Sequence, residues 1–163
     1  LTFAENSSKG IIGPFVNAKK PVLLVHGNHE SIATVDFLAE MYPETKNIHG
    51  YSFVKNDVGI FGCGGADFGV SPMSEGNFFS TLAKAHESIK EFKKKIMVTH
   101  MHPFKSKAEF SGFHGSKGVR KALEKFQPDI LISGHIHEAE GIEEKIGKTK
   151  VINVGRKGRI LEI

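Results

Sequence analysis

Cysteine, aspartate and long apolar runs are scarce in this chain, and each scarcity excludes something. Cys63 is the only cysteine, so no internal disulfide framework exists. A lone thiol permits a reducing compartment without demanding one. No apolar run reaches the roughly 18 residues that span a bilayer. The opening stretch LTFAENSSKG lacks the basic region and apolar core of a signal peptide, and the expected location is the cytoplasm, with no membrane partner. There is no linker, repeat or low-complexity tract. An excess of one charge is missing too. Lys plus Arg is 22 against 18 for Asp plus Glu, a net +4 that identifies no nucleic-acid binder. The basic runs Lys19-Lys20, Lys93-Lys94-Lys95 and Arg156-Lys157 read as solvated helix ends or turns. Zinc-finger spacing and long basic–aromatic interleaving are absent. With 39% apolar and 25% charged residues, the 163 residues read as one globular domain with room for a substantial core. Aspartate is the informative shortage: Asp36, Asp57, Asp67 and Asp129 stand against 9 His, and the chain begins with Leu. Chemistry that uses Asp ligands would feel that deficit.

What is present alternates between strand and helix patterns. PVLLV (21–25) reads as a buried strand. SIATVDFLAEMY (31–42) reads as a helix capped by Ser31, with Val35, Leu38, Ala39 and Tyr42 inward and Pro43 as its stop. Residues 51–64 form a hairpin turning near Asn56-Asp57, and Gly62, Gly64 and Gly65 give it an irregular exit. Residues 66–77 read as loop. A helix is expected over 78–95, with Leu82, Ala85, Ile89 and Phe92 inward and Lys93 to Lys95 at its C-terminus, where cations suit the dipole. Strand 96–99, loop 100–115, helix 116–126 and strand 130–133 follow. A hairpin (IEEKIG with KTKVINVG) and a last strand over 159–163 complete the expectation, an α/β fold with added antiparallel pieces.

Three polar clusters follow three apolar strands: HGNHE (26–30), THMH (99–102) and GHIHE (134–138). Ligand sites of α/β folds lie beyond the carboxyl ends of strands, so Asn28, His29, His100, His102, His135 and His137 can reach one crevice. In an extended segment His135 and His137 would point the same way. This nitrogen and oxygen donor set suits Mn, Fe, Zn or Ni better than Ca. Its neutral donors leave two dications without balancing charge, and a carboxylate or hydroxide bridge would be wanted. His26 reads as packing, His49 and His86 as ordinary surface or partnered residues, Asp67 as loop, and Cys63 as a small core hydrophobe.

GNHE, the strand-end His of THMHP, and GHIHE followed by a hairpin carrying VINVG together resemble the calcineurin-like metallophosphoesterase superfamily, and more narrowly its small archaeal and bacterial phosphoesterases. The resemblance spans essentially residues 1–163 and is weakest over 66–95 and 103–118. It implies a four-layer α-β-β-α sandwich and metal-dependent hydrolysis of a phosphate ester, with a water activated between two ions attacking phosphorus in line. Manganese is the expected metal, with Fe, Zn or Ni as alternatives. The resemblance makes Asn28, His100 and His135 ligands of one ion and His137 a ligand of the other. It makes His29 the group that contacts the phosphoryl and assists the leaving oxygen, and Glu30, where many relatives have Asp, its orienting partner. Gly27 and Gly134 would allow close approach. His102 and the glycine-bounded His114 are candidate substrate contacts.

Family members open with Asp-x-His and a Gly-Asp motif, and neither occurs here. Residues 1–3 match the stretch just after that Gly-Asp. The expectation is therefore a single domain over 1–163, N-terminally incomplete, whose first strands and carboxylate ligands lie before Leu1. A small-molecule phosphodiester is the expected substrate, with nucleic-acid ends not excluded and homo-oligomerisation open. The alternative is a non-catalytic scaffold or protein-interaction subunit on the same fold. A metallo-β-lactamase-like hydrolase is set aside because its HxHxDH pattern is absent.

Overall fold

In the computed structural model, residues 12–163 are described, and the reading of residues 1–3 lies outside them. Helix α1 (Gly13–Asn17) leads into β1 (Val22–Leu24). Then come α2 (Ile32–Met41), β2 (Thr45–Asn47), β3 (Ser52–Lys55) and β4 (Val58–Cys63). Helix α3 (Glu75–Glu87), β5 (Lys94–Thr99), α4 (Lys117–Phe126) and β6 (Ile130–Ser133) build the centre, and the hairpin of β7 (Glu143–Ile146) and β8 (Thr149–Asn153) follows. Short 3-10 turns span Lys107–Ser111 and His137–Ala139.

The strands form two sheets. β1 and β2 pair in parallel, and six strands run in the order β3-β4-β5-β6-β8-β7. Within the larger sheet β4, β5, β6 and β8 are parallel, and the hairpin strands β3 and β7 close its two edges antiparallel. Register brings the carboxyl ends of all four parallel strands to one edge: Cys63 lies opposite Thr99, and Ser133 opposite Asn153. Phe61, Met97, Leu131 and Val151 from this sheet pack with Phe78, Leu82, Ala85, Val119, Ala122 and Leu123 from α3 and α4. On the other side, Val25 and Ile48 rest where a side chain on Gly62 would stand, and α2 packs on β2. Helices outside and sheets between give the layer order expected for the sandwich.

Most elements fall where the sequence pattern puts them, and the departures have local causes. Ser31 caps α2 by accepting from Thr34 N–H, but only Val35 of its expected inner face is buried, Leu38, Ala39 and Tyr42 being half-covered. Helix α3 starts at Glu75 because Ser74 caps it, and ends at Glu87 rather than running to residue 95. Lys94 and Lys95 belong to β5, so they offset no helix dipole. Ile89 remains buried and Phe92 partly so, because the apolar spacing continues through a turn. Residues 159–163 form no strand. Cys63 is fully buried in the core, with burial pushing its thiol up to about 12, as a small hydrophobe would sit. His86 is not an ordinary surface residue: its ring stacks on Phe126 at 4.4 Å. Among the described residues no helix is long and apolar enough to cross a membrane.

The seam between the two sheets is made of backbone. His49 bridges to Gly62, Gly50 N–H donates to Gly62 C=O at 3.0 Å, and Gly65 N–H donates to His26 C=O at 2.9 Å. The imidazole of His49 accepts from Gly64 N–H through Nδ1 at 3.0 Å. Burial, then the neighbouring His26, brings His49 down from an ordinary 6.5 to about 4.

This packing makes the seam sensitive to acid. A group with a depressed histidine pKa contributes stability that is complete above its unfolded value and is lost as pH falls toward the folded one. Urea midpoints should therefore drop between pH 6.5 and 4, and drop less in His49→Asn, whose side-chain oxygen keeps the Gly64 acceptor without titrating; equal slopes in both proteins would refute a titrating seam. Ser116 caps α4 by accepting from Val119 N–H at 3.1 Å and donates to Glu75 at 2.6 Å, tying α4 to α3. Ser116→Ala should destabilise the fold by about 1–2 kcal/mol in denaturant titrations.

Candidate metal centre

The carboxyl ends of β1, β5 and β6 deliver the three polar clusters. Beyond β1, residues 26–28 run against the exit of β4. A side chain on Gly64 would stand 2.5 Å from the His26 backbone oxygen, so only glycine admits this approach. Gly69, at φ +102°, comes closer still: a side chain there would meet the Asn28 carbonyl oxygen at 2.1 Å. Val70 N–H donates to that same oxygen at 3.0 Å. Asn28 is thus held from both sides and is buried.

Held there, Asn28 meets the other two strand ends. His100 Nε2 lies 3.0 Å from Asn28 Oδ1, and His135 Nδ1 lies 3.0 Å from the same His100 nitrogen. The two imidazole rings meet edge to face at 4.8 Å. Gly27 allows the fit, because a side chain on it would crowd His100 Cε1 at 3.1 Å. Gly134 plays no such part: the space over it is open. His29 is exposed, and its Nε2 accepts from Asn28 Nδ2 at 3.3 Å.

Both convergent imidazoles are held neutral. Burial, then His135, brings His100 down to about 4; burial, then His102, lowers His135. Neutral imidazoles and an amide oxygen are ligand chemistry, and their 3.0 Å separations match neighbouring ligands about 2.1 Å from a common ion. The three donors fit a divalent metal. Among the described residues no three His, Cys, Asp or Glu side chains gather into such a group. The convergent set is two imidazoles with an asparagine, and it brings no carboxylate.

The remaining candidates stand outside these contacts. His137 acts on His100 and His135 electrostatically but does not follow His135 in an extended segment. His135 adopts φ +58°, which breaks the extended alternation, and residues 137–139 coil into a 3-10 turn. His137 Nδ1 lies instead 2.9 Å from Arg156 Nη2. Glu30 does not reach His29: the chain bends after Asn28 and its carboxylate accepts from Gly27 N–H at 3.3 Å. His102 is 1% exposed, which removes it as a direct substrate contact. Its Nε2 donates to Phe113 C=O at 3.3 Å and pins loop 103–116 from beneath. His114 is exposed on that loop, with Nδ1 3.8 Å from Glu109, and touches none of the convergent donors.

Two features were not anticipated. The Phe68 ring stands 5.5 Å from that of His135, and Arg156 reaches His137. Phe68 gives no periodic signal in a loop. Arg156 had one: it follows β8, a fourth strand whose carboxyl end lies at the same edge.

No curated protein matches the sequence. In solved structures the fold resembles the protein TT1561 of Thermus thermophilus, with a TM-score of 0.64 and 20% identity, covering 85% of this chain and 64% of that one. The chain thus spans just under two thirds of that protein. A family model described as calcineurin-like phosphoesterase matches residues 5–139. The match takes in all three strand-end clusters, and the chain belongs to the calcineurin-like phosphoesterase family.

Proposed function

We propose that this chain carries the imidazole side of a divalent-metal centre that hydrolyses a phosphate ester. The observation behind the reading is the convergence of Asn28 Oδ1, His100 Nε2 and His135 Nδ1 at 3.0 Å spacings, with the imidazoles kept unprotonated by burial. Family membership supports phosphoester hydrolysis in general. The dinuclear arrangement, with His137 as the ligand of a second ion, and manganese as the metal are parts of this proposal.

When bound, divalent ions supply Lewis-acid charge and make water a stronger nucleophile near neutral pH. The residues of the chain do the rest. Asn28, His100 and His135 fix the position of the centre. His29, the exposed imidazole of the GNHE segment, would meet the phosphoryl group from solvent and give a proton to the leaving oxygen. Its bond from the Asn28 amide couples its position to that of a ligand. Glu30 acts on the loop backbone through Gly27 rather than on His29 directly. The substrate proposed is a small-molecule phosphodiester, acted on in the cytoplasm.

The test is hydrolysis of an aryl phosphodiester by the full chain, with and without Mn(II). Manganese should stimulate turnover and chelation should abolish it. His29→Ala should lower kcat by about 10²–10⁴ while leaving Mn(II) binding intact. The double variant His100→Ala with His135→Ala should lose Mn(II) binding. Equal turnover in wild type and His29→Ala would defeat the assignment of His29, and full metal binding by the double variant would defeat the centre.

A further inference from the structure

A cleft of about 250 Å³ opens where α2, the segment after β2 and α3 meet, and none of the metal-centre donors lines it. Asp36 comes from α2, His49 and Tyr51 from the segment after β2, and Lys84 from α3. The polar side chains are ordered from within. Asn47 Nδ2 donates to Asp36 Oδ1 at 2.8 Å, and Asn47 Oδ1 accepts from His49 N–H at 2.9 Å. The amide thus fixes the carboxylate relative to the backbone that carries His49.

The charges in this cleft are not used up by the protein. Asp36 takes its bond from a neutral amide, and Lys84 Nζ stands 4.8 Å from the centroid of the Tyr51 ring. A ring positions an ammonium group without neutralising it. Asp36 and Lys84 do not pair with each other, and neither has another partner of opposite charge among the described residues. Both lie close enough to act on His49, with opposite signs. His49 supplies a third group. Its Nδ1 accepts from Gly64 N–H, so the ring proton sits on Nε2, and that N–H has no acceptor among the described residues.

The charge pattern selects the ligand. A simple anion would meet Lys84 and His49 but also the Asp36 carboxylate, and a simple cation would meet Lys84. A molecule with both charges a short distance apart satisfies all three groups. Ile32 and Tyr51 line the same cleft and are largely open to solvent, an apolar surface for the rest of such a molecule.

We propose that this cleft binds a free α-amino acid with an apolar side chain, its carboxylate on Lys84 and the His49 Nε2–H and its ammonium on Asp36. The site is separate from the metal centre and does not rest on the hydrolytic reading.

The full chain serves for the test, with L-leucine as the probe and calorimetry as the readout. Wild type should bind L-leucine with a Kd of about 1 mM or tighter. Two analogues each lack one charge: 3-methylbutan-1-amine has no carboxylate and 4-methylpentanoate no ammonium. Each should bind about tenfold more weakly or worse. Asp36→Asn keeps an acceptor for Asn47 without the charge, and Lys84→Met keeps the aliphatic stem; each should weaken L-leucine about tenfold. Both side chains are exposed, so both variants should keep the wild-type urea midpoint. The analogue comparison uses wild type alone and decides the matter even if a variant folds poorly. No binding of L-leucine, analogues that bind as well as L-leucine, or folded variants with unchanged affinity would each overturn the proposal.

Discussion

Backbone coming closer to backbone than side chains allow is the constraint on which this site depends. The exit of β1 lies against the exit of β4 only because residues 64 and 69 have no Cβ; with one, the chain would collide with His26 or with Asn28 itself. The hydrogen bonds from Gly65 to His26 and from Val70 to Asn28 then become available. They fix an asparagine that otherwise sits in a bend, the least regular part of its surroundings. His100 and His135 follow adjacent parallel strands in register, and beyond the strands Gly134 N–H donates to His100 C=O at 3.1 Å while Gly27 leaves room for the His100 ring. The site is thus half scaffolded by a β-ladder and half by glycine contacts, so a glycine substitution at the seam would displace Asn28 while leaving the two imidazoles in place.

Electrostatics follow from the same burial. Desolvation disfavours protonation of these imidazoles, and their crowding adds to that. The result is a group of imidazoles whose protonation is disfavoured, a state that would be harder to maintain at the surface. His102 shows the other use of a buried imidazole. It sits two residues beyond a convergent donor and turns inward, using its N–H to anchor the loop that carries Phe113 and His114. Two histidines of one short segment have therefore been assigned opposite work by the direction in which each faces.

How much of this could be read from sequence depended on whether the signal was local. The apolar runs at 21–25, 96–99 and 130–133 specify strands by composition, and their polar exits name Asn28, His100 and His135 directly. The Asn56-Asp57 turn was legible because both residues tolerate the positive φ they adopt, 50° and 61°. Helix α3 was misplaced because Lys93 to Lys95 look like a helix end, whereas pairing of Lys94 with Val58 and Lys95 with Gly59 draws two of them into β5. The same-face reading of His135 and His137 failed because extended geometry was assumed across a residue that turns left-handed. Unlike the Asn-Asp pair, a single histidine after a strand did not announce such a φ. Arg156 looked like part of a basic turn, and its contact with His137 depends on β8 pairing with β6, a contact between distant segments.

Neutral donors also bear on what the site can accept. Asparagine and neutral histidine hold a dication without cancelling its charge, so the field at such a centre stays positive. Among the described residues, the acidic group that acts on these donors is Asp67, on His135. Under the proposed function, a phosphate group entering this field would supply the missing negative charge itself, coupling substrate binding to metal binding. Discrimination among phosphate esters must then come from what surrounds the phosphate. The half-exposed Phe68 ring beside His135 lies on the loop that Gly69 and Val70 fasten to Asn28. One loop therefore fastens Asn28 and places an apolar ring beside His135. Under the proposed function, a change in that loop would alter metal geometry and substrate choice together.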